Sequence, residues 1–181
     1  MVDARVLCSL GFIGLTYSCW LNAHLDATYT FGTIVWLNTT RSLALPFIFV
    51  PLTAIGIQNL PQAQKPEASA LYNLTRTLAG SLVIAGLGTF LVSREAYHFE
   101  RYGEHVTAFA AATNERLTAL VSGFIARAGS SPALAHAQAI AALHFTLAQQ
   151  ALIAAFDDAF FLLTIVSAVA VVLAFVARPL P

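Results

Sequence analysis

Two polar pairs with the same spacing lie inside apolar stretches of this sequence. Asn38 precedes Arg41 by three residues, and Asn73 precedes Arg76 by three residues. Residues at i and i+3 share one face of a helix, so each pair lies on one helix face. An arginine near the middle of a membrane span costs about 2.5–3.5 kcal/mol, and chains keep one where it faces a cavity, a partner helix or a substrate. The pairs indicate either a polar strip lining an aqueous path or hydrogen bonds that hold helices together.

An acidic pair and two prolines are the other residues that could take part in a function. Asp157 and Asp158 open the last apolar run, where they either take up protons or cations or are simply solvated at the interface. Pro46 and Pro51 lie within one apolar run, so they are either hinges of an alternating-access cycle or fixed bends. Small residues in the third run predict close helix packing there, and these are Gly80, Ser81, Ala85, Gly86 and Gly88.

The sequence lacks the spacings that are typical of metal-dependent or covalent catalysis. It contains no HExxH, GxxxxGK[ST], GxSxG or CxxC pattern, and none of its five histidines forms an i, i+4 pair. We therefore expect no enzyme activity, no metal and no cofactor. The nine basic and nine acidic residues balance and are scattered along the chain, which argues against a nucleic-acid partner.

The elements that must position the polar pairs are predicted to be transmembrane helices. Hydrophobic residues make up 58% of the chain and charged residues only 10%, against about 25% charged in a typical globular chain. The apolar runs are long enough for four spans, at about 5–23, 31–58, 69–92 and within 154–181. For the first run, a secretory signal peptide is the alternative.

The long segment between the third and fourth spans is predicted to form a helical hairpin. Apolar residues recur there at i, i+3 and i+4 between residues 106 and 124, which is typical of an amphipathic helix. Ser131 and Pro132 suit the N-cap and first position of a second helix, and neither Pro nor Gly interrupts it before the last span. The fold class is thus an all-α membrane protein with three spans in 1–93, the hairpin in 94–153 and the last span with a short tail in 154–181.

The distribution of basic residues predicts the orientation. With the N-terminus inside, Arg5, Lys65 and Arg178 all fall on the cytoplasmic side, and the short outer loop 24–30 contains no Lys or Arg. The positive-inside rule therefore places both termini in the cytoplasm and the hairpin outside.

A resemblance to a known family extends over nearly the whole chain. Residues 49–81 read FVPLTAIGIQNLPQAQKPEASALYNLTRTLAGS. This segment resembles the C-terminal part of EmrB/QacA-type drug:proton antiporters of the major facilitator superfamily. Residues 2–5 and 158–160 resemble further pieces of that family in the same order. The chain departs from the family at residues 41–46, which read RSLALP where members usually show Arg-Gly followed by further glycines.

The resemblance implies a proton-coupled multidrug efflux transporter of a bacterial inner membrane, of which this chain matches only the last four spans. Beside the lipid bilayer, it implies two partners: the remaining spans of the transporter and a periplasmic membrane-fusion adaptor at the hairpin. Asn38, Arg41, Asn73 and Arg76 would line or brace the substrate cavity, and this segment alone would not complete a transport cycle. Two alternatives stay open, namely a small four-span sensor or scaffold whose outer hairpin binds a partner, and a small exporter that assembles from several copies.

Overall fold

The computed structural model describes residues 4–24, 30–57, 60–106 and 111–176. Within these ranges all regular structure is helical, and no strand is present. The helices in chain order are α1 (Ala4–Asn22), α2 (Phe31–Ile57), a short 3-10 turn (Gln62–Gln64), α3 (Lys65–Gly103), α4 (Ala111–Ala128) and α5 (Pro132–Val176). The prediction of an all-α fold is therefore confirmed.

Three of these helical stretches are both long and apolar enough to cross a membrane. They are Phe31–Ala54, Gln62–Gly103 and Pro132–Val176. The apolar part of α1, Val6–Asn22, is shorter than the other three. The structure thus agrees with a helical membrane protein, whereas a crossing by α1, and with it the count of four spans, stays a prediction.

Two of the helices continue far beyond the predicted spans. The predicted third span ends at residue 92, whereas α3 runs on to Gly103. Neither Pro nor Gly occurs between these positions, so nothing interrupts the ladder of backbone hydrogen bonds. α5 is one helix of 45 residues from Pro132 through the last span, as the absence of helix breakers within it predicts.

The chain divides into two compact units. The first unit comprises Met1–Phe90 and Phe156–Pro181, and the second comprises Leu91–Ala155. α3 and α5 each contribute residues to both units. The second unit contains the segment for which the hairpin is predicted, and the side of the membrane on which it lies remains a prediction.

In the first unit, α1 packs closely on α2 through small residues. A Cβ at Gly11 would lie 2.7 Å from Cγ1 of Ile48 and 3.0 Å from backbone atoms of α2. Ser18 is fully buried and donates a hydrogen bond of 3.1 Å to the carbonyl of Leu37. Small side chains allow such a close approach of two helices in a membrane. Further small residues on the two faces are Cys8, Gly14 and Ala44.

The small residues of α3 make no comparable contact within the described chain. No residue of α3 is buried, and a Cβ added at Gly80, Gly86 or Gly88 would meet no atom within 4 Å. The close packing that these residues predict is therefore not made with any other described part of this chain.

In the second unit, α4 and α5 are joined by the turn that the sequence predicts. Gly129 ends α4 with a φ of +62°, and its N–H donates to the carbonyl of Ile125 at 3.2 Å. α5 begins at Pro132, and the hydroxyl of Ser131 accepts the N–H of Leu134 at 3.5 Å. The prediction of an N-cap followed by proline at the first helical position is confirmed.

The second unit has a core of modest depth. α4 buries no residue completely, and its predicted apolar stripe is half-buried. α5 buries small side chains instead, at Ala135, Ala139, Ala151 and Ala155. Phe99 of α3 and His144 of α5 pack edge to face with their ring centroids 5.0 Å apart, a favourable aromatic geometry.

Candidate functional site

The first polar pair forms a direct contact on α2. Nη2 of Arg41 donates a hydrogen bond of 2.7 Å to Oδ1 of Asn38, and Nδ2 of Asn38 donates to the carbonyl of Ile34 at 2.9 Å. The bond from the guanidinium is charge-assisted and short, so it belongs to the stronger class of hydrogen bonds. These two bonds in series fix the orientation of the guanidinium group relative to the helix backbone. The i, i+3 spacing predicts the shared helix face on which this contact forms.

The polar side chains from residue 38 to residue 42 hydrogen-bond within α2 itself. The hydroxyls of Thr39, Thr40 and Ser42 each donate to the carbonyl four residues earlier, at 2.8, 2.9 and 2.8 Å. A guanidinium group has five N–H donors, and Asn38 is the partner of Arg41 among the described residues. Most of the N–H donors of Arg41 therefore have no hydrogen-bond partner among the described residues.

Arg41 lines a cavity between α1, α2 and α5 with a volume of about 200 Å³. Arg41 is half-buried and is the only charged side chain among the described lining residues. The hydroxyl of Ser167 in this cavity already donates to the carbonyl of Thr164 at 3.0 Å. The remaining lining residues are Phe12, Leu15, Cys19, Leu163, Val166 and Ala170. The site is thus an apolar cleft with one cation at its wall.

A second cavity, of about 420 Å³, lies between α1 and α5. The hydroxyls of Thr16 and Ser167 hydrogen-bond at 2.9 Å and join these two helices between the two cavities. This volume falls within the range of about 300–1,000 Å³ that is usual for small-molecule pockets. The described lining is uncharged and consists of Ile13, Thr16, Tyr17, Trp20, Thr164, Ala168 and Val171.

The second polar pair is not joined as the first one is. Arg76 is exposed on α3, and its Cζ lies 5.3 Å from the centroid of the Phe49 ring on α2, which is a cation–π geometry. Asn73 is also exposed and makes no hydrogen bond to Arg76 in the described structure. Neither residue lines the two cavities. The geometry of Arg76 is that of a contact between α2 and α3.

The two prolines and the acidic pair lie away from both cavities. α2 continues through Pro46, which is exposed, and Pro51, which is buried. Asp157 and Asp158 are half-buried on α5, and each makes a polar or electrostatic contact. None of the four lines a described cavity, so the hinge and proton-binding roles stay predictions.

Within the described residues, no group of three or more His, Cys, Asp and Glu side chains comes together as a metal site would require.

Sequence reasoning missed most of the cavity wall. The lining from α1 and α5 is mostly apolar, and apolar residues look the same in a sequence whether they face a cavity or lipid. The signal that points to this region is the pair of hydroxyl residues Thr16 and Ser167, which interrupt two apolar runs and bond to each other.

Comparison with characterised proteins gives matches along the chain. Over 178 residues the chain is 24% identical to the fatty acid resistance protein FarB of Neisseria gonorrhoeae. This match covers 98% of this chain and 33% of FarB. It is 34% identical over 111 residues to the multidrug export protein EmrB of Haemophilus influenzae, and 32% identical over 109 residues to EmrB of Escherichia coli K12. Each of these two matches covers 60% of this chain and 21% of the relative. All three matches fall in the C-terminal portions of the relatives.

The chain is similar to the C-terminal part of EmrB-type multidrug export proteins. The resemblance to the C-terminal part of EmrB-type proteins is thereby confirmed. The chain spans about a third or less of the length of these curated relatives. No family model matches the chain, and no solved structure matches it. The comparisons give no support to the sensor or scaffold alternative.

Proposed function

We propose that this chain is the C-terminal segment of a proton-coupled multidrug efflux transporter of the major facilitator superfamily, and that it works together with the remaining spans. The observation that carries the proposal is the match to FarB along 98% of the chain. By its name, FarB confers resistance to fatty acids, and the EmrB relatives export multiple drugs. The long apolar helices described above support placement in a membrane.

In this proposal the chain crosses an inner membrane four times, with both termini in the cytoplasm. The spans are α1, α2, the part of α3 before about residue 92 and the part of α5 after about residue 154. α1 has 19 residues, which corresponds to a length of about 28 Å at 1.5 Å per residue. A bilayer core is about 30 Å thick, so this length supports a crossing by α1.

Cysteine labelling in intact cells tests the orientation. A cysteine introduced at Ala126 of α4 should react with a membrane-impermeant maleimide, because the hairpin is outside in this proposal. A cysteine at Gln62 should react only after the membrane is permeabilised. Both positions are exposed, and the native Cys8 and Cys19 are buried, which keeps the background low. Labelling of Gln62→Cys in intact cells, or protection of Ala126→Cys, would contradict the orientation.

Within this transporter, Asn38 and Arg41 line the substrate path, and Arg76 braces α3 against α2 through Phe49. The contacts described above support these roles, since Arg41 faces a cavity and Arg76 does not. Asn73 lies one turn from Arg76 and would meet the remaining spans. Pro46 and Pro51 bend or hinge α2 in this scheme. Asp157 and Asp158 are candidate proton sites, and a carboxylate of the remaining spans is the alternative.

The hairpin is the proposed contact for a periplasmic membrane-fusion adaptor. Leu134, Phe145 and Leu152 are exposed on α5 by 52%, 63% and 38%. At 3.6 residues per turn, these three positions fall within about 20° of one another around the helix. An apolar stripe on one helix face suits a helical partner, which supports this contact.

Efflux measurements on the protein expressed from its native gene test the transport function. In a bacterial strain that lacks its major exporters, expression should lower the accumulation of exported dyes several-fold and raise resistance to the corresponding drugs. A protonophore should abolish the difference, because the proposed driving force is the proton gradient. Unchanged accumulation, with the protein present in the membrane at a normal level, would overturn the proposal.

A further inference from the structure

We propose that the hydrogen bond between the hydroxyls of Thr16 and Ser167 is a releasable link between α1 and α5, and that its release joins the two cavities into one space. We call this bond the hydroxyl link. The inference rests on the proposed export function only where transport is measured, since the separation of the two helices can be followed without it.

The hydroxyl link lies between the two cavities, where α1 meets α5. Thr16 lines the cavity of about 420 Å³, and Ser167 lines the cavity of about 200 Å³. Their oxygen atoms are 2.9 Å apart, which leaves no space between them. Both helices contribute residues to both cavities. A separation of α1 from α5 at this link therefore connects the two cavities.

The number of hydrogen atoms at the link makes its release inexpensive. Oγ1 of Thr16 lies 2.8 Å from the carbonyl oxygen of Phe12 and 2.9 Å from the hydroxyl oxygen of Ser167. The hydroxyl of Ser167 lies 3.0 Å from the carbonyl oxygen of Thr164. A hydroxyl has one hydrogen, so the two hydroxyls can fill only two of these three contacts at a time.

The joined and separated arrangements therefore contain the same number of hydrogen bonds. In the joined arrangement Thr16 donates to Ser167, and Ser167 donates to Thr164. In the separated arrangement Thr16 donates to Phe12 instead, and the bond from Ser167 stays. Both acceptors of Thr16 are within bonding distance of one side-chain position, so the exchange requires only a rotation of the hydroxyl hydrogen. Neither donor is left unsatisfied, which would be costly in apolar surroundings.

The contact of α1 with α2 lacks this property. The hydroxyl of Ser18 donates to the carbonyl of Leu37 on α2 at 3.1 Å, and in the described structure it has no acceptor on α1. The backbones also approach closely there, at Gly11 and Ile48. Separation of α1 from α2 would leave the buried Ser18 without its acceptor. We therefore infer that α1 and α2 move together and that α5 separates from them.

Pulsed electron paramagnetic resonance on the full protein in lipid nanodiscs measures this separation. Spin labels are attached at Leu10→Cys on α1 and Leu173→Cys on α5, at positions that are exposed by 56% and 63%. We expect two distances between the labels, a shorter one for joined helices and a longer one for separated helices. The native Cys8 and Cys19 are buried, which limits labelling elsewhere.

A matched pair of labels reports on α1 and α2. Leu10→Cys is combined with Val50→Cys, at a position of α2 that is exposed by 69%. We expect a single distance for this pair, because the contact between α1 and α2 has no alternative arrangement of equal hydrogen bonding.

Thr16→Val distinguishes a releasable link from a fixed one. Valine keeps the shape of threonine without the hydroxyl, so the joined and separated arrangements each retain the bond from Ser167 to Thr164. We expect the ratio of separated to joined helices to change by no more than about twofold. A fixed link that loses its hydrogen bond would raise this ratio by about fivefold.

A disulfide in place of the hydroxyl link tests its part in transport. With Thr16→Cys and Ser167→Cys, the sulfurs take the place of oxygens 2.9 Å apart, and an S–S bond measures about 2.05 Å. Oxidation should lower dye efflux by at least about tenfold, and reduction should restore it. Gly14→Cys with Ala44→Cys is the control across α1 and α2, since a Cβ at Gly14 would lie 3.2 Å from Cβ of Ala44. Oxidation of this control should leave efflux unchanged.

Three results would overturn the inference. The first is a single distance between α1 and α5, and the second is a fivefold or larger rise in the ratio with Thr16→Val. The third is efflux that the disulfide between α1 and α5 does not lower, or that the control disulfide lowers equally. Two distances in a protein without efflux overturn only the transport function, whereas efflux with a single distance overturns only this inference.

Discussion

Arg41 and Arg76 occupy equivalent positions in two i, i+3 pairs, yet their surroundings differ. Arg41 is held by Asn38 at the wall of a cavity, whereas Arg76 lies over the ring of Phe49 on the neighbouring helix. The spacing alone predicts a shared helix face in both cases. The difference arises from the neighbouring helices, because α1 and α5 enclose Arg41 while α3 buries none of its residues.

Gly11 is the residue at which the packing of α1 on α2 tolerates least additional volume. A Cβ there would lie 2.7 Å from Ile48 Cγ1 and 3.0 Å from backbone atoms, and backbone cannot rotate away. We expect Gly11→Ala to destabilise the protein by about 1–3 kcal/mol, the usual cost of overpacking. Thermal unfolding followed with a thiol-reactive dye measures this change, because the free Cys8 and Cys19 are buried until α1 and α2 separate.

Gly32→Ala is the control for this measurement. Gly32 lies near the start of α2, and a Cβ there would meet no described atom within 4 Å. Alanine is the better helix former, so this variant should melt at the same temperature as the unmodified protein or higher. Equal melting temperatures of Gly11→Ala and Gly32→Ala would show that the close contact of α1 and α2 is absent in solution.

At the scale of the elements, the turn between α4 and α5 depends on one glycine. Gly129 has a φ of +62°, a conformation that costs other residues about 1–2 kcal/mol. Gly129→Ala should therefore increase hydrogen exchange of the backbone amides around this turn. Gly103→Ala is the matched change, because Gly103 ends α3 without a positive φ, and it should leave exchange unchanged. Equal exchange in the two variants would contradict a role for the left-handed conformation.

Most of the elements could be predicted from the sequence, since long apolar runs and helix-breaking residues mark them directly. The continuity of α5 follows from the absence of Pro and Gly after its first residue, Pro132. The extension of α3 to Gly103 does not follow from the apolar runs, because the third run ends at about residue 92. The polar residues that follow favour an aqueous environment over a lipid one, but they do not interrupt the helix. A change in hydropathy therefore does not mark the end of a helix.

The candidate site could be predicted only where it is local. Asn38 and Arg41 are neighbours on one helix, so the shared face on which they hydrogen-bond follows from their spacing. The cavity requires Phe12, Arg41 and Leu163 from three different helices. Which faces of three apolar helices meet depends on small differences in side-chain volume, such as the missing Cβ of Gly11, and no periodicity in the sequence reveals those.

At the scale of the whole molecule, the uneven burial of the first unit fits the length of the relatives. α1 and α2 share a close interface, while the glycines of α3 meet nothing within 4 Å. The chain covers 33% of FarB and 21% of each EmrB relative. In the transporter that we propose, the remaining spans pack against this uncovered face of α3.

The local hydrogen bonding of α2 has a consequence for biosynthesis. A helix that carries Asn, Thr, Thr, Arg and Ser in succession enters hydrocarbon at a high free-energy cost if these side chains have no hydrogen-bond partner until a neighbouring helix packs against them. In α2 the hydroxyls of this stretch and the amide of Asn38 donate to carbonyls of their own helix. If α2 crosses the membrane as proposed, Arg41 is therefore the one side chain of this stretch that requires a neighbouring helix, and the other four can enter the bilayer before α1 or α5 packs against α2, in keeping with folding in two stages.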